Sequence, residues 1–364
     1  MKPKYYSLKS ILSKDAQYNV IFGERSNGKS YSVLKYGLEQ FQTHGKQLAI
    51  IRRWSEDFTG KRGKTMFDSL EANGEIEKIT GGEWTGVHYY ASKWYLCRYI
   101  DDEKEIAPEP FAFGFSISAM EHDKSTSYPN VTTILFDEFL TRSMYLPDEF
   151  VLFMNVLSTI IRHRTDVKIF MLGNTVNRYC PYFREMGLTH VKEMKPGDID
   201  IYRYGESALK VAVEYTAETK GGKKSDIYFA FSNPKLAMIK GGAWELDIYP
   251  HLPEKYKPNE VIFTYFILFD GEMLQCEIIQ KPDSIFTFIH RKTGEIKYPE
   301  TDLVYTTEYS QRPNYRRRIT KPKTEAEKKI LSFFINDKVF YQDNETGEIV
   351  RNYLMWSASE SKKK

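Results

Sequence analysis

Short apolar runs alternate with segments of helical periodicity through the first half of the chain. The apolar runs occupy residues 18–22, 47–53, 131–139 and 167–175. Helical periodicity follows the first run, where Val33, Leu34 and Leu38 share one face, and it recurs over residues 148–163. Apolar strands separated by helices predict a mainly parallel sheet, and therefore an α/β fold for this half of the chain.

The pattern changes near residue 205. Residues 206–244 contain two soft, polar stretches rich in Gly and Lys, which are typical of a connecting segment. We therefore predict a first domain over residues 1–205, a linker domain over 206–244 and a C-terminal domain over 245–364.

The C-terminal region is rich in aromatic residues and strand-like runs. Asp270-Gly271 interrupts one such run, and this dipeptide favours the two-residue turn of a hairpin. Residues 324–335 predict a helix, with Thr324 and Glu327 as a capping box. Strands in sequence followed by a helix predict an α+β domain.

A glycine-rich turn separates the first strand from its helix and matches the phosphate-binding loop GxxxxGK[ST]. Its residues are Gly23, Glu24, Arg25, Ser26, Asn27, Gly28, Lys29 and Ser30. Glycines let successive N–H groups point at an anion, and the helix N-terminus adds partial positive charge. We expect Lys29 to reach the β- and γ-phosphates of a nucleotide, and Ser30 to hold Mg²⁺.

Polar residues follow two later strands. Asp137 and Glu138 end the strand at 131–139, where the first carboxylate suits a magnesium ion and the second suits a base that activates water. Asn174 ends the next strand and is a candidate sensor of the γ-phosphate. The acidic pair has a simpler interpretation as a solvated strand end. Asn174 has a simpler interpretation as a turn residue.

Two arginines close the helix at 148–163. Arg162 and Arg164 have a simple interpretation as cations at a helix C-terminus. The alternative is an arginine finger offered to the nucleotide of a neighbouring subunit. Arg25, inside the phosphate-binding loop, is a rival finger acting within its own subunit.

A second glycine- and lysine-rich segment, residues 60–65, is not a phosphate-binding loop. Phe58 stands where the first glycine of the motif is required. We predict an exposed basic loop here. Its candidate DNA contacts are Lys61, Arg62 and Lys64, and Arg142, later in the chain, is a further candidate. A solvated run of charge is the alternative.

Composition restricts the possible chemistry. The 364 residues carry a formal net charge of +3; residues 1–200 are neutral, and the excess lies in residues 201–364. Any DNA contact must therefore come from local basic patches. Cys97, Cys180 and Cys276 are far apart and form neither a zinc motif nor a disulfide framework.

Targeting signals are also absent from the sequence. No apolar run reaches the length of a membrane span, and the first residues lack the apolar core of a signal peptide. We expect a protein that is not secreted and has no membrane partner.

Taken in order, these motifs resemble a known family. The segments VIFGERSNGKSYS, IRRW, HDKSTSYPNVTTILFDEF, RHRTDVKIFMLGN and NRYCPYF are similar to those of the genome-packaging ATPase (DNA encapsidation protein) of phi29-type phages. The resemblance covers roughly residues 15–185, and the YPNV…DEF run is its most specific element.

The resemblance implies a RecA-like P-loop ATPase of the additional-strand, conserved-glutamate type, followed by a small linker and an RNase H-like C-terminal domain with a vestigial nuclease. It implies ATP with Mg²⁺ as cofactors and a homo-oligomeric ring, with a pentamer as the expected size. The implied partners are double-stranded DNA and the portal (connector) protein of the procapsid, with a scaffold RNA as a further candidate. The motor would act in the host cytoplasm, docked transiently on the procapsid.

Site residues carry over from the resemblance as well. It implies that Arg162 acts in trans and that Lys124, just ahead of SYPNV, also acts at the subunit interface. A basic residue that the family has shortly after IRR is replaced here by Ser55, so that contact is not carried over.

Two other functions are compatible with the sequence. A terminase large subunit with an active C-terminal nuclease needs clustered carboxylates, and Asp247, Asp270 and Glu272 are the suggestive ones on strands. A non-motor P-loop ATPase with a nucleic-acid-binding tail would lack the arginine acting in trans.

Overall fold

The fold is known from a computed structural model of the full chain. It describes residues 5–122, 126–142, 145–146, 148–175, 179–217, 244, 249–252 and 254–359. The chain divides into two compact units, Met1–Glu245 and Leu246–Lys364.

The first unit combines one large sheet with helices. Its strands are β1 (Tyr18–Gly23), β2 (Gln47–Arg52), β3 (Gly86–Tyr90), β4 (Lys93–Ile100), β5 (Glu103–Ser116), β6 (Val131–Asp137), β7 (Lys168–Asn174), β8 (Ile199–Arg203) and β9 (Lys210–Tyr215). Its helices are α1 (Lys9–Leu12), α2 (Lys29–His44), α3 (Gly60–Lys64), α4 (Asp68–Ala72), α5 (Glu75–Ile79), α6 (Glu149–Ile161) and α7 (Pro181–Glu185).

The strand order in this sheet is β3-β4-β5-β2-β6-β7-β1-β9-β8. All pairs from β5 to β9 in that order are parallel, whereas β3-β4-β5 and β9-β8 are antiparallel. The predicted α/β fold with a mainly parallel sheet is confirmed. Strand β7 lies between β1 and β6, so the carboxyl ends of these three strands meet at one edge.

Two apolar layers fix this sheet. Alternate residues of a strand point to opposite faces. Val20 and Phe136 belong to the core that α6 covers, whereas Ile21 and Leu135 belong to the core that α2 covers. Because both faces are buried, the strands read as continuous apolar runs rather than as alternating ones.

The end of the first unit lies beyond the predicted boundary at residue 205. Strand β9 falls inside the predicted linker 206–244, yet it pairs in parallel with β1 and is mostly buried. Its five consecutive buried residues extend the sheet on the far side of the phosphate-binding strand, and β8 lies beyond it. Most of the remaining predicted linker, residues 218–243, lies outside the described residues, so a separate linker domain stays a prediction.

The segment predicted as an exposed basic loop is also different. Residues 60–64 form the short helix α3. The Trp94 indole Nε1 donates to the Gly63 carbonyl oxygen at 2.9 Å, and a Cβ at Gly63 would lie 2.5 Å from the Tyr89 ring. Packing against these two aromatic side chains therefore holds the turn in a helical conformation.

The described residues of the second unit form a mixed sheet and two helices. Its strands are β10 (Val261–Phe269), β11 (Glu272–Gln280), β12 (Ile285–Arg291), β13 (Leu303–Thr306), β14 (Tyr315–Arg316) and β15 (Val339–Tyr341), and its helices are α8 (Glu325–Ile335) and α9 (Asn344–Ser359). The order is β14-β13-β10-β11-β12-β15. β10, β11 and β12 are antiparallel, β13 runs parallel to β10, and β15 runs parallel to β12.

Two local predictions for this unit can be compared with the structure. The hairpin turn is confirmed, since Asp270 and Gly271 join β10 to β11 with φ values of 52° and 77°. The capping box is half formed, because Thr324 accepts from the Glu327 N–H at 3.2 Å, whereas the Glu327 carboxylate accepts from Lys323 N–H. Within the described residues, none of the helices combines the length and apolar character that crossing a bilayer requires.

Candidate active site

The turn after β1 has the shape of a phosphate-binding loop. Gly23 has φ 149° and Gly28 has φ 92°, values that residues with a side chain rarely adopt. A Cβ at Gly23 would lie 2.1 Å from Thr216 Oγ1, so close packing also requires glycine there. The Asn27 amide donates to the same hydroxyl oxygen at 3.0 Å. Because α2 begins at Lys29, its first N–H groups lack partners within the helix and suit an anion.

The remaining residues of the loop differ in exposure. Glu24 is buried, whereas Arg25 and Ser26 are exposed. Ser26 has φ 58° and lines the pocket described below. The proposed role of Arg25 as a finger within its own subunit stays a prediction.

Lys29 is a buried cation held by neutral dipoles. Its Nζ donates to the Glu24 carbonyl oxygen at 2.6 Å, to Asn27 Oδ1 at 3.2 Å and to Asn174 Oδ1 at 3.4 Å. Burial lowers the pKa of Lys29 to about 8, and the charges of Asp137 and Glu24 oppose part of that shift. The charged form of the amine is therefore stabilised when anionic phosphate oxygens replace these neutral acceptors.

Ser30 and Asp137 form the oxygen pair that the sequence predicts. Ser30 Oγ donates to Asp137 Oδ1 at 3.0 Å, across the junction between α2 and the end of β6. Asp137 is only 6% exposed. Asn174, at the end of β7, reaches the same group of residues through Lys29. Parallel strands thus bring together residues that lie far apart in sequence.

Arg52 joins this group and was not predicted. Its guanidinium Nη2 lies 2.7 Å from Asp137 Oδ2, and its Nη1 lies 2.8 Å from Glu138 Oε2. Glu138 has φ 61° and a side chain that is 64% exposed. Arg52 ends β2, which neighbours β6, so strand order alone would place it near Asp137.

A buried ion pair fixes the backbone behind Glu138. Arg53 Nε and Nη2 contact the two carboxylate oxygens of Glu149 at 2.8 and 2.9 Å. The same guanidinium donates to the carbonyl oxygens of Glu138 at 3.3 Å and Phe139 at 2.9 Å. Tyr182 donates its hydroxyl to Glu149 at 2.7 Å. The strand end that carries the acidic pair is therefore held by charge-assisted hydrogen bonds.

These residues open into a pocket of about 350 Å³. Its lining comprises Tyr5, Ser26, Asn27, Gly28, Lys29, Ser30, Tyr31, Ser69, Asn73, Asp137, Glu138, Leu172, Gly173 and Asn174. A second pocket of about 440 Å³ is also lined by Arg52 and Arg62, and it shares with the first pocket Ser30, Tyr31, Ser69, Asp137 and Glu138. Gly23, Glu24 and Arg25 are not among the lining residues, whereas the other predicted nucleotide and metal residues line the first pocket.

The two arginines after α6 lie away from this opening. Arg162 Nη2 donates to the Thr126 carbonyl oxygen at 3.1 Å, and Arg164 donates to the carbonyl oxygens of Pro129 and Tyr128 at 3.1 and 3.2 Å. Both residues follow the helix, which ends at Ile161. Lys124 lies outside the described residues, so its interface role stays a prediction.

The predicted DNA contacts are separated by the fold. Lys61, Arg62 and Lys64 are exposed on α3. Only Arg62 lines the pocket beside the acidic pair, and its guanidinium lies 3.5 Å from Asp57. Arg142 is half-buried in the segment after β6. The DNA-binding role of all four residues stays a prediction.

The carboxylates considered for a nuclease are not gathered in the described chain. Asp270 forms the hairpin turn, Glu272 lies 3.9 Å from Arg291, and Asp247 lies outside the described residues. In the part of the chain that the structure describes, no group of three or more His, Cys, Asp and Glu side chains is placed to hold a metal ion.

The chain is similar to known packaging proteins. A family profile described as Podovirus DNA encapsidation protein (Gp16) matches residues 1–196. The "DNA packaging protein" of Bacillus phage phi29 and that of Bacillus phage PZA are each 29% identical over 185 residues, which is 50% of this chain and 50% of each relative. The chain therefore spans about half the length of the curated relatives it matches.

Two solved structures share its fold. The Phi-28 gp11 DNA packaging motor has a TM-score of 0.55 at 16% identity and covers 97% of this chain and 98% of its own. The bacteriophage Phi-29 viral genome packaging motor assembly has a TM-score of 0.56 at 19% identity and covers 96% of each chain. With the profile matching more than half of its length, and with a phosphate-binding loop and an acidic pair at one edge of a parallel sheet, the chain belongs to the Podovirus DNA encapsidation protein (Gp16) family.

Proposed function

We propose that the protein is an ATP hydrolase that drives double-stranded viral DNA into a procapsid, as a homo-oligomeric ring docked on the portal in the host cytoplasm. The observation that carries the proposal is the meeting of Lys29, Ser30-Asp137 and Glu138 at one edge of the sheet. The phage packaging proteins to which the chain is similar support the DNA and procapsid parts.

ATP binding uses groups that are already in place. The β- and γ-phosphates occupy the loop, and Lys29 exchanges the Glu24 carbonyl oxygen and the Asn27 amide oxygen for phosphate oxygens. Backbone N–H groups at the start of α2 complete the anion site. Asn174 accepts a hydrogen bond from Lys29, as the loop oxygens do. From this position it senses whether a γ-phosphate is present.

The residues also fit a magnesium ion. Ser30 Oγ and Asp137 Oδ1 are hard oxygen donors 3.0 Å apart beside the phosphate site, as Mg²⁺ prefers. When bound, the ion would neutralise charge on the phosphate oxygens. Arg52 holds the second oxygen of Asp137 and thereby orients the carboxylate.

Glu138 is the group that we assign as the base. Its carboxylate accepts a proton from the attacking water as that water adds to the γ-phosphorus. In the structure this carboxylate pairs with Arg52, and the Arg53 contacts fix the backbone on which it sits. Its positive φ turns the side chain away from the strand direction, towards the opening.

Arg162 acts on a neighbouring subunit rather than on its own. Helix α6 connects the end of β6, where Asp137 lies, to the start of β7. Because β6 and β7 are parallel, the end of α6 lies at the amino edge of the sheet, opposite the phosphate-binding loop. The Arg162 guanidinium there donates to the Thr126 carbonyl oxygen, two residues along the chain from Lys124.

The second unit supports the RNase H-like assignment. Three antiparallel strands, β10 to β12, are extended on the β10 side by the parallel strands β13 and β14. This arrangement, to which β15 is added at the other edge, supports the assignment. We propose that this unit is a vestigial nuclease.

The decisive experiment measures ATP hydrolysis by the full chain with and without double-stranded DNA, together with particle mass. We expect DNA-stimulated hydrolysis by a ring, and none from Lys29→Ala. Hydrolysis that DNA does not stimulate, from a monomer, would favour the non-motor ATPase. Plasmid cleavage by the full chain with Mn²⁺ would favour the terminase with an active nuclease.

A further inference from the structure

Two aromatic residues line the nucleotide pocket, and the proposed chemistry does not use them. Tyr5 and Tyr31 line the pocket together with the loop residues Gly28, Lys29 and Ser30. Glu138 and Asp137 line the same pocket and are the residues to which we assign the reaction. A nucleoside triphosphate needs a place for its base as well as for its phosphates.

The two tyrosine rings form a stacked pair. Their centroids lie 5.8 Å apart with an interplanar angle of 25°. Tyr5 also covers the loop, since a Cβ at Gly28 would lie 3.1 Å from the Tyr5 ring. Yet Tyr5 remains 54% exposed, so the pair leaves aromatic surface open at the mouth of the pocket.

The segment that carries Tyr5 is anchored to the loop. The Tyr6 N–H donates to the Asn27 carbonyl oxygen at 2.9 Å, and Ser32 Oγ donates to the Tyr6 carbonyl oxygen at 2.6 Å. The Tyr6 hydroxyl donates to Glu214 Oε2 at 2.5 Å, and Leu8 is buried in the core. A large, half-exposed aromatic residue is therefore held in a fixed place beside the phosphate site.

Polar groups border the same pair. Asn73 and Ser69 line the pocket beside Tyr31. An apolar face with a polar border matches the chemistry of a nucleobase, which stacks through its face and hydrogen-bonds through its edge.

We propose that Tyr5 and Tyr31 form the nucleobase subsite, on which the base of a nucleoside triphosphate stacks while its phosphates lie in the loop. The inference rests on the proposed function, because it adds to the same pocket. Tyr5 is a binding residue that fixes affinity for the nucleoside part and has no role in the bond that breaks.

The test compares a ligand that has a base with one that has none. Binding of Mg–ATP and of Mg–tripolyphosphate is measured by titration calorimetry on the full chain, for the wild type, Tyr5→Ala, Tyr5→Phe and Tyr309→Ala. Tyr309 is a matched control because it is 83% exposed in the second unit. We expect Tyr5→Ala to weaken ATP by roughly 10- to 100-fold, the scale of losing one stacked base.

Tripolyphosphate should bind Tyr5→Ala as it binds the wild type, and Tyr5→Phe should keep the affinity for ATP because the ring, not the hydroxyl, does the stacking. Unchanged ATP binding by Tyr5→Ala would overturn the subsite. Equal loss of both ligands would also overturn it, since Tyr5 would then support the loop. If the wild type binds neither ligand, the proposed function itself is wrong.

Discussion

The carboxyl edge of the first sheet and the interior of the second sheet both collect polar side chains, but they differ in how these groups are paired. At the first edge, Lys29, Asp137 and Glu138 have charged or dipolar partners and face a pocket. In the second sheet, Tyr305 is fully buried, and its hydroxyl has no hydrogen-bond partner among the described residues. Paired charges that face an opening indicate chemistry, whereas an isolated buried hydroxyl indicates packing.

The largest expected effect tests whether the first edge is complete within one subunit. Arg162→Ala should leave ATP binding intact and lower assembled turnover by roughly 10³-fold or more, the usual scale for an arginine finger. Rings that mix this variant with Glu138→Gln should regain activity, because some interfaces join an intact Arg162 to an intact Glu138. Mixed rings of confirmed mass that stay as inactive as their parents would contradict a role in trans, and would make Arg25 the better candidate.

Removing the proposed base should lower turnover on a similar scale. Glu138→Gln keeps the size and hydrogen-bonding shape of the side chain but cannot accept the proton of the attacking water. We expect ATP binding to persist while hydrolysis falls about 10²- to 10⁴-fold. Single-turnover measurements with labelled ATP separate the two steps. Near-normal hydrolysis would remove Glu138 from this role.

Breaking the buried ion pair should destabilise the first unit. Glu149→Ala leaves the Arg53 guanidinium buried without its carboxylate, and one-sided removal of such a pair costs about 3–5 kcal/mol. Urea unfolding followed by circular dichroism gives the change in the free energy of unfolding. Glu185→Ala is a control, since its ion pair with Arg184 is exposed and such pairs contribute about 0–1 kcal/mol. Equal effects of both variants would show that burial of the first pair does not matter.

The lowered pKa of Lys29 predicts a smaller, pH-dependent effect. Below a pKa of about 8 the amine is already charged, so phosphate binding needs no proton uptake. Above it, binding must also protonate the amine, and ATP affinity should fall by up to about tenfold per pH unit. Lys29→Arg keeps its charge and should give a flat profile over the same range. Calorimetry between roughly pH 7 and 9.5 checks this, and a flat wild-type profile would contradict it.

The smallest effect is expected in the second sheet. The Tyr305 hydroxyl is buried without a hydrogen-bond partner among the described residues, which costs stability. Tyr305→Phe removes this hydroxyl, so the free energy of unfolding should rise, by less than about 1 kcal/mol. Thermal unfolding of the full chain measures the difference. A loss comparable to that of Glu149→Ala would mean that the hydroxyl does bind an ordered group, and the contrast between the two sheets would weaken.

Local signals in the sequence were sufficient for much of the first unit. The run at 131–139 became β6 and the periodic segment 148–163 became α6, because apolar periodicity reports which face is buried. The phosphate-binding loop could be predicted directly, because two of the positive φ values that its turn requires fall on glycines within one segment of eight residues.

Features that depend on distant contacts were not predictable in this way. Strands β3 to β5 form an antiparallel extension of the sheet. The first residues of β5 are largely exposed, so no apolar run marks where that strand begins. Arg52 meets Asp137 across 85 residues only because β2 pairs with β6. The helical conformation of α3 depends on Trp94 and Tyr89, which lie on those same unpredicted strands.

Helix α6 has a mechanical consequence. Its 13 residues make a rod of about 20 Å, since each residue of an α-helix adds 1.5 Å. The first residue of the rod, Glu149, is clamped by the guanidinium that also holds the Glu138 and Phe139 carbonyl oxygens, and Arg162 follows its last residue. While that clamp holds, a displacement of the end of β6 is passed to the far tip of the rod. In the ring that we propose, one subunit's site and its contact with the next would therefore be two ends of a single lever.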